Sequence, residues 1–187
     1  MLSFNLPLDV ICTSHGVIWR DKPEQIVEKY LKWAANYQED QITIIYDTMW
    51  NGTRVMAEKI ANGISDADKE VNVKLFNLAK TDKNDVITEI FKSKAILVGS
   101  PTINRGILVS AAGILEEIKG LKFKNKKAAA FGCYGWSGES TKIISENFAS
   151  TGFELVDDGI KAMWNPDNEN LTKCVEYGRE LADKVHL

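Results

Sequence analysis

The chain has 187 residues, 44% of them hydrophobic and 26% charged, with a formal net charge of −3. That length and balance suit one compact domain with a hydrophobic core and a smaller appended segment. The acidic balance argues against a nucleic-acid partner, no apolar run approaches the roughly 20 residues that span a bilayer, and no signal peptide is visible, so we expect a cytoplasmic protein.

Residues 1–40 differ in pattern from the rest of the chain. Asp9–Thr13 predicts a short apolar strand, Ser14–Gly16 predicts a turn, and Pro23 is typical of a helix start. The apolar face of that helix is formed by Ile26, Val27, Tyr30, Leu31 and Ala34. One strand and one helix bury little surface, so we expect this segment to pack on another domain or to be the end of one. Gln38–Gln41 predicts a polar hinge.

Strands and helices alternate from Gln41 to the end of the chain. The predicted strands are Ile42–Tyr46, Val71–Leu78, Ala95–Ser100, Lys127–Cys133 and Glu154–Met163. The predicted helices are one that begins after Thr53, then Asp82–Ser93, Ser110–Ile118, Glu139–Ser150 and Asn168–Val185. Because strands such as Ala95–Ser100 are apolar on both faces, helices must cover both sides of the sheet. The pattern predicts an α/β fold, a doubly wound five-stranded parallel sheet with helices on both faces.

The first of these strands ends at a loop, Thr48–Thr53, that leads directly into a helix. The first N–H groups of a helix lack partners within it and lie at the positive end of its dipole, so they attract anions. Thr48, Asn51 and Thr53 add side-chain donors, and Gly52 permits close backbone approach. The loop contains neither G-x-x-x-x-G-K-[ST] nor G-x-G-x-x-G, which favours a monophosphate over a nucleoside triphosphate or a dinucleotide. The alternative is an ordinary helix cap.

A second unusual loop, Ser100–Leu108, follows the third strand of the sheet. It carries a rigid Pro101, the polar residues Thr102 and Asn104, and Arg105. In doubly wound sheets, ligands bind beyond the carboxyl ends of the strands, where the strand order reverses. This loop is therefore a candidate to line a ligand, although Pro101 and Arg105 could instead only shape a turn.

The third unusual loop, Cys133–Glu139, places two aromatic residues among glycines. Tyr134 and Trp136 offer flat faces on which a ring system can stack, and Trp50 on the first loop could add another. Each aromatic alone could simply cap the sheet. Taken together, a phosphate loop at one end and aromatic residues at the other predict a mononucleotide with a large planar ring.

Three cysteines are widely separated, so neither a C-x-x-C redox pair nor a disulfide framework is present. We expect Cys12 and Cys174 to fill space in apolar surroundings. Cys133 lies in the aromatic loop, where its thiol could sit near a ligand, although a small buried residue is the plainer reading.

The sequence resembles the flavodoxin-like domain of flavodiiron proteins, and more closely the flavorubredoxin type of enteric nitric oxide reductases. Three motifs carry the resemblance: Y-D-T-M-W-N-G-T-R-V-M-A at Tyr46–Ala57, G-S-P-T-I-N-R-G at Gly99–Gly106, and F-G-C-Y-G-W-S-G-E at Phe131–Glu139. The resemblance implies an FMN cofactor with its phosphate at the first loop, its ribityl chain and ring at the second, and its isoalloxazine ring at the third. The residues so assigned are Thr48, Met49, Trp50, Asn51, Gly52, Thr53, Ser100, Pro101, Thr102, Ile103, Asn104, Arg105, Gly132, Cys133, Tyr134, Gly135, Trp136, Ser137 and Gly138.

The same resemblance bears on the N-terminal segment. Thr13–Arg20 is similar to the end of a metallo-β-lactamase-like domain, in which the residue matching His15 is a di-iron ligand. The only other histidine is His186, and one imidazole cannot assemble a di-iron site, so we expect no metal here. The resemblance implies that residues 1–40 are a remnant of that domain with its linker helix, and that residues 41–187 are the FMN domain.

The function implied by the resemblance is electron relay, which makes the chain an oxidoreductase component. Electrons would arrive from rubredoxin or an NADH-dependent reductase and leave toward a di-iron domain that reduces oxygen or nitric oxide, arranged head to tail in a homodimer. We expect no such reductase activity from this chain alone. We also hypothesise that Arg105, with few acids nearby, eases formation of the reduced flavin.

Two other functions fit parts of the sequence. One is an NAD(P)H-dependent FMN reductase of quinones or small molecules with the same fold, although no dedicated nicotinamide site is visible. The other is a cofactor-free interaction module of the receiver type. Receivers need an acidic cluster, and no acidic pair precedes Asp47, which argues against that function.

Overall fold

The computed structural model describes residues 7–186 of the chain. These residues belong to two compact units that meet in sequence between Tyr37 and Gln38. No described helix is long and apolar enough to cross a membrane.

The smaller unit contains helix α1 (Glu24–Ala34), which begins after Pro23 as predicted. The strand predicted at Asp9–Thr13 is wrong, because only Ile11 pairs, in an isolated antiparallel bridge to Trp19. The bends between these two residues reverse the chain too soon for a longer ladder. Cys12 is exposed and so does not fill space as expected. None of the eleven residues of α1, all of which the structure describes, is buried.

The larger unit is a parallel α/β sheet. Its strands are β1 (Glu39–Tyr46), β2 (Asn72–Asn77), β3 (Ser93–Gly99), β4 (Lys127–Tyr134), β5 (Glu154–Leu155) and β6 (Ile160–Met163). Its helices are α2 (Gly52–Ala67), α3 (Lys83–Lys92), α4 (Val109–Leu121), α5 (Ser140–Thr151) and α6 (Asn168–His186). The strand order is β2-β1-β3-β4-β5, with β6 pairing farther along β4, and every pairing is parallel. The predicted fold class is confirmed.

The sheet separates two hydrophobic cores, one on each face. Alternate residues of a strand point to opposite faces, so Ile44 of β1 packs with α2 and α6 while Ile45 packs with α3, α4 and α5. Cys174 of α6 is fully buried in the first core, as predicted, and burial raises the pKa of its thiol to about 11. Helices on both faces account for the apolar character of the central strands.

The fifth strand position is interrupted, which the sequence pattern did not show. A continuous strand was predicted at Glu154–Met163, but β5 pairs with the start of β4 and β6 with its end. Between them, the N–H of Gly159 donates to Asp157 Oδ1 at 2.8 Å, and Tyr177 of α6 donates its hydroxyl to the same oxygen at 2.7 Å. Gly159 has φ +84° and a Cβ there would lie 2.4 Å from the carbonyl oxygen of Ala130, so only glycine fits this turn.

The predicted hinge at Gln38–Gln41 is also wrong, because β1 begins at Glu39. Gln41 is 1% exposed although it is polar. Its amide Nε2 donates to the carbonyl oxygen of Glu89 at 3.1 Å and to Ser93 Oγ at 3.0 Å, so burial leaves the group paired. These partners come from the end of α3 and the start of β3, which sequence pattern cannot place beside Gln41.

Helices α2 and α6 approach each other unusually closely. A Cβ on Gly63 would lie 2.1 Å from the carbonyl oxygen of Val175, and one on Gly178 would lie 2.2 Å from that of Ile60. Both positions therefore require glycine as long as the helices keep this distance. The contact matters for the site because α2 begins at the predicted phosphate loop.

Candidate functional site

The three loops predicted to bind a ligand lie together at the carboxyl edge of the sheet, because β1, β3 and β4 are neighbours. They border a cavity of about 440 Å³, a size typical of small-molecule sites. A fourth segment, which follows β6 and was not predicted, completes it. The cavity is lined by Met49, Trp50, Pro101, Thr102, Cys133, Tyr134, Gly135, Trp136, Trp164 and Asn165.

The first loop brings the chain into α2 through Asn51, whose φ of +65° is left-handed. The Asn51 side chain makes no capping hydrogen bond, and its carbonyl oxygen accepts from the N–H of Val55 at 3.0 Å. The first turn of α2 contains no acidic residue. The N–H groups of Gly52, Thr53 and Arg54 therefore point out of a helix start that has neither a side-chain cap nor a negative charge of its own.

Thr48, at the start of the same loop, has a buried hydroxyl oxygen that makes no hydrogen bond to any described residue. A buried hydroxyl without a partner costs about 1–3 kcal/mol, so such groups are rare in folded proteins. An acceptor or donor on a bound ligand would complete it. The sequence predicted a ligand role for this residue, and the unpaired hydroxyl is consistent with that prediction.

Asp47 places a carboxylate at the end of β1, yet both of its oxygens have donors. The N–H of Thr48 donates to Oδ1 at 2.7 Å, and the hydroxyl of Ser110 donates to Oδ2. Ser110 lies in the first turn of α4, where the helix dipole favours negative charge. The Asp47 carboxylate therefore stabilises the start of α4 through its hydrogen bond with Ser110.

Ser100 of the second loop is fully buried and ties the loop to itself. Its hydroxyl donates to the carbonyl oxygen of Pro101 at 2.9 Å and accepts from the N–H of Leu108 at 3.0 Å. Thr102 links this loop to the third, since its N–H donates to the carbonyl oxygen of Cys133 at 2.9 Å. Its hydroxyl accepts from the N–H of Ser140, the first residue of α5, at 3.1 Å.

The tip of the second loop is a tight turn from Ile103 to Gly106. Asn104 and Arg105 both have left-handed φ values, +49° and +58°, as in a type I′ turn. The N–H of Ile103 donates to the carbonyl oxygen of Gly106 at 3.2 Å, and the N–H of Gly106 donates back at 2.7 Å. Arg105 is exposed at this tip and is not among the described residues that line the cavity.

The charge of Arg105 has an acidic neighbour. The hydroxyl of Ser137 donates to Glu139 Oε2 at 2.8 Å. This hydrogen bond is the main cause of the lowered pKa of the Glu139 carboxyl. The positive charges of Arg105 and Lys161 lower it further. Glu139 is thus one acidic group whose carboxyl is affected by Arg105, and the expectation of few acids near Arg105 stays a prediction.

The third loop begins at the end of β4, close to residues of the first and second loops. A Cβ on Gly132 would lie 2.0 Å from the carbonyl oxygen of Ser100, so the two backbones are in contact there. Cys133 is half-buried in the cavity wall, with its sulfur 3.3 Å from the hydroxyl oxygen of the fully buried Thr53. The sulfur thus lies at the first loop and in the cavity wall, and its nearness to a ligand stays a prediction.

The fourth segment, Trp164–Pro166, follows β6 as the other loops follow their strands. The N–H of Trp164 donates to the carbonyl oxygen of Tyr134 at 2.7 Å. Its ring meets that of Trp136 edge to face, with centroids 5.3 Å apart and planes at 68°. The signal that could have found it was its position at a strand end, with an indole beside an Asn-Pro pair.

Sequence and structure comparisons agree on the family. A flavodoxin profile matches residues 44–178. The chain belongs to the flavodoxin family. The anaerobic nitric oxide reductase flavorubredoxin of Escherichia coli is 54% identical over 182 residues, which cover 97% of this flavodoxin chain and 38% of that relative. The chain thus spans about two fifths of the relative's length.

Solved structures give the same result. The flavodoxin chain superposes with a TM-score of 0.86 and 34% identity on the rubredoxin oxygen:oxidoreductase of Desulfovibrio gigas, covering 95% of this chain and 44% of that one. It superposes with a TM-score of 0.71 and 29% identity on an archaeal flavodoxin, covering 79% of this chain and 99% of that one. The resemblance to the flavodoxin part of flavodiiron proteins, predicted from the three motifs, is confirmed.

The geometry suits a phosphorylated planar ligand at this edge of the flavodoxin sheet. The helix start without a cap and the unpaired Thr48 hydroxyl offer donors to a phosphate, and the adjoining cavity offers aromatic faces to a ring. Eight of the predicted residues line the cavity: Met49, Trp50, Pro101, Thr102, Cys133, Tyr134, Gly135 and Trp136. The individual assignments stay predictions.

Proposed function

We propose that this flavodoxin chain binds FMN at the carboxyl edge of its sheet and serves as an electron-transfer module. The observation that carries the proposal is the buried, unpaired hydroxyl of Thr48 in the loop before α2, which also supplies Met49 and Trp50 to an aromatic cavity. In this proposal, the phosphate of the ligand provides the partner that the Thr48 hydroxyl lacks.

The phosphate would be held by neutral donors. The N–H groups of Gly52, Thr53 and Arg54 lie at the positive end of α2, and the hydroxyl of Thr48 adds a fourth donor. Gly52 packs closely against Cys133 and the fourth segment, so a side chain there would be tight, since its Cβ would lie 3.0 Å from the cysteine sulfur. A single phosphate fits such a cradle better than a longer chain of phosphates, which needs a lysine and a metal ion.

The ring would occupy the aromatic cavity. When bound, FMN accepts and donates electrons, and the protein adjusts its potential through burial, stacking and hydrogen bonds. Trp50 and Trp136 are 81% and 88% exposed, so they can close against a ring with little loss of existing packing. Tyr134, Gly135 and Trp136 line the same cavity, and in this proposal their backbone groups hydrogen-bond the ring.

The partners follow from the names of the relatives. One is called a nitric oxide reductase flavorubredoxin and another a rubredoxin oxygen:oxidoreductase. We propose that rubredoxin or an NADH-dependent reductase donates electrons to this chain, and that a di-iron domain accepts them, arranged in a homodimer. In this proposal residues 1–40 are the end of a metallo-β-lactamase-like domain and residues 41–187 are the FMN domain.

Reconstitution tests the proposal. The purified chain is incubated with FMN, freed of excess ligand, and measured for visible absorption and for phosphorus in the released flavin. We expect one FMN per chain, and we expect riboflavin, which has the ring without the phosphate, to bind at least about 100-fold more weakly. We also expect slow oxidation of NADH and no turnover of nitric oxide by the chain alone. A colourless protein after incubation would overturn the proposal.

A further inference from the structure

Trp164 has an unusual backbone conformation. Its φ is +57°, in the left-handed region that glycine, asparagine and aspartate adopt most easily. For a bulky residue this is a true outlier, and strain of this kind persists where surrounding structure enforces it, often in ligand sites. The residue is also 57% exposed, so burial of its ring explains little of the strain.

The indole of Trp164 lies against the backbone of the third loop. A Cβ on Gly135 would lie 3.1 Å from Cζ3 and 3.3 Å from Cη2 of the indole, so the six-membered ring lies beside Gly135 in the space that a side chain there would enter. The same indole also forms an edge-to-face pair with Trp136, which is 88% exposed. Trp164 thus supports the part of the third loop that lines the cavity.

The two residues after Trp164 reach the first loop. Asn165 Oδ1 and Pro166 Cδ each lie 3.4 Å from the position of a Cβ on Gly52, the first residue of α2. The fourth segment therefore contacts the start of α2 at one end and Gly135 at the other. It connects the proposed phosphate cradle to the proposed ring pocket.

We propose that Trp164 is a positioning residue of the FMN site, which forms the fourth wall of the ring pocket and holds the Gly135 backbone and the Trp136 ring in place. The inference rests on the proposed function, since it assigns a role toward FMN. The left-handed backbone conformation directs the indole into this position, and its strain lowers the stability of the apoprotein. Trp164 therefore favours ligand binding at the expense of apoprotein stability.

Two substitutions test this role, one that removes both the backbone strain and the ring and one that keeps both. Trp164→Asn relieves the strain, because asparagine tolerates left-handed φ, and removes the ring. We expect the apoprotein to melt at an unchanged temperature or about 2–4 °C higher, and FMN to bind about ten-fold more weakly. Trp164→Phe keeps a ring at the same place, and we expect FMN affinity within about three-fold of the wild type.

The potential of the bound flavin gives a readout that a purely structural role would leave alone. We expect the midpoint potential to shift in Trp164→Asn and to stay close to the wild-type value in Trp164→Phe. A double-mutant cycle with Gly135→Ala tests the contact itself. The added methyl meets the indole in the wild type but open space in Trp164→Asn, so its effect on FMN affinity should be smaller in the second background.

The outcomes are distinguishable. If Trp164→Asn melts below the wild type and leaves FMN affinity within two-fold, Trp164 is a structural residue and the inference is wrong. If the effects of Gly135→Ala are equal in both backgrounds, the indole does not hold that backbone, which also overturns it. A wild-type chain that binds no FMN overturns the proposed function instead.

Discussion

Replacing Thr48 by valine tests the phosphate cradle, because valine has the shape of threonine without the hydroxyl. The Thr48 hydroxyl is buried without a partner among the residues that the structure describes. The N–H of Thr48 donates to Asp47 at 2.7 Å, and this bond does not depend on the side chain. Thr48→Val therefore removes one polar atom and leaves the loop intact.

Thr48→Val is expected to make the apoprotein more stable and to weaken the binding of FMN. Removing an unpaired buried hydroxyl recovers its desolvation, so the apoprotein should gain about 1–2 kcal/mol, or roughly 3–6 °C in melting temperature. A hydrogen bond to a charged phosphate contributes about 1.5–3 kcal/mol, so FMN should bind about 10–100-fold more weakly. The affinity for riboflavin, which lacks the phosphate, should be almost the same in Thr48→Val as in the wild type.

The matched control is Thr43→Val, five positions earlier and within β1. Thr43 is fully buried, but its hydroxyl oxygen lies 2.8 Å from Ser93 Oγ and 3.3 Å from Gln41 Nε2. The same substitution there breaks paired groups, so it should destabilise the apoprotein by about 1–3 kcal/mol and leave FMN affinity unchanged. Thermal unfolding and fluorescence titration with both flavins measure these effects. A Thr48→Val protein that is less stable and binds FMN normally would refute the reasoning.

Two further predictions concern the scaffold. Gly178→Ala should lower the melting temperature by about 3–10 °C, because its Cβ would lie 2.2 Å from the carbonyl oxygen of Ile60. The control is Gly113→Ala, whose Cβ would have nothing within 4 Å, and it should raise the melting temperature by about 1–4 °C. Equal shifts for the two variants would contradict the close packing of α2 on α6. Lys126 is 4% exposed and donates to two backbone carbonyls, and its burial lowers the pKa of its ammonium from 10.5 to about 8. The unfolded chain therefore binds more protons between these values, so the free energy of unfolding should rise with pH across that window by up to about 3 kcal/mol, and Lys126→Met should flatten the slope in urea unfolding curves. Parallel slopes for the two proteins would contradict this.

The sequence predicted the fold because the main determinants are local. The runs Ile42–Tyr46 and Ala95–Gly99 are apolar on both faces, which only a sheet covered on two sides can bury. The strand-end rule then placed the first three loops together without knowledge of any contact. The predictions that proved wrong concern residues whose structure depends on partners far away in the sequence. Gln41 is an example, because its burial depends on hydrogen bonds to Glu89 and Ser93.

The site was predictable in outline and not in detail for the same reason. Trp164 was missed because its φ and its contact with Gly135 depend on how β6 aligns with β4 after an interruption in the fifth strand position. Arg105, which was predicted to line the ribityl chain and the ring, lies at the tip of a turn made by two left-handed residues, and its assignment stays a prediction. Backbone conformations of this kind have no clear signature in residue type when the residue is not glycine.

The central claim is that the start of α2 holds the phosphate of FMN, and amide NMR of the isotope-labelled chain tests it most directly. On titration with FMN, the largest shifts should fall on the N–H groups of Gly52, Thr53 and Arg54. Titration with riboflavin should shift residues of the cavity, such as Gly135, and spare that helix start. Identical shift patterns for the two flavins, or shifts concentrated away from the carboxyl edge of the sheet, would contradict the claim.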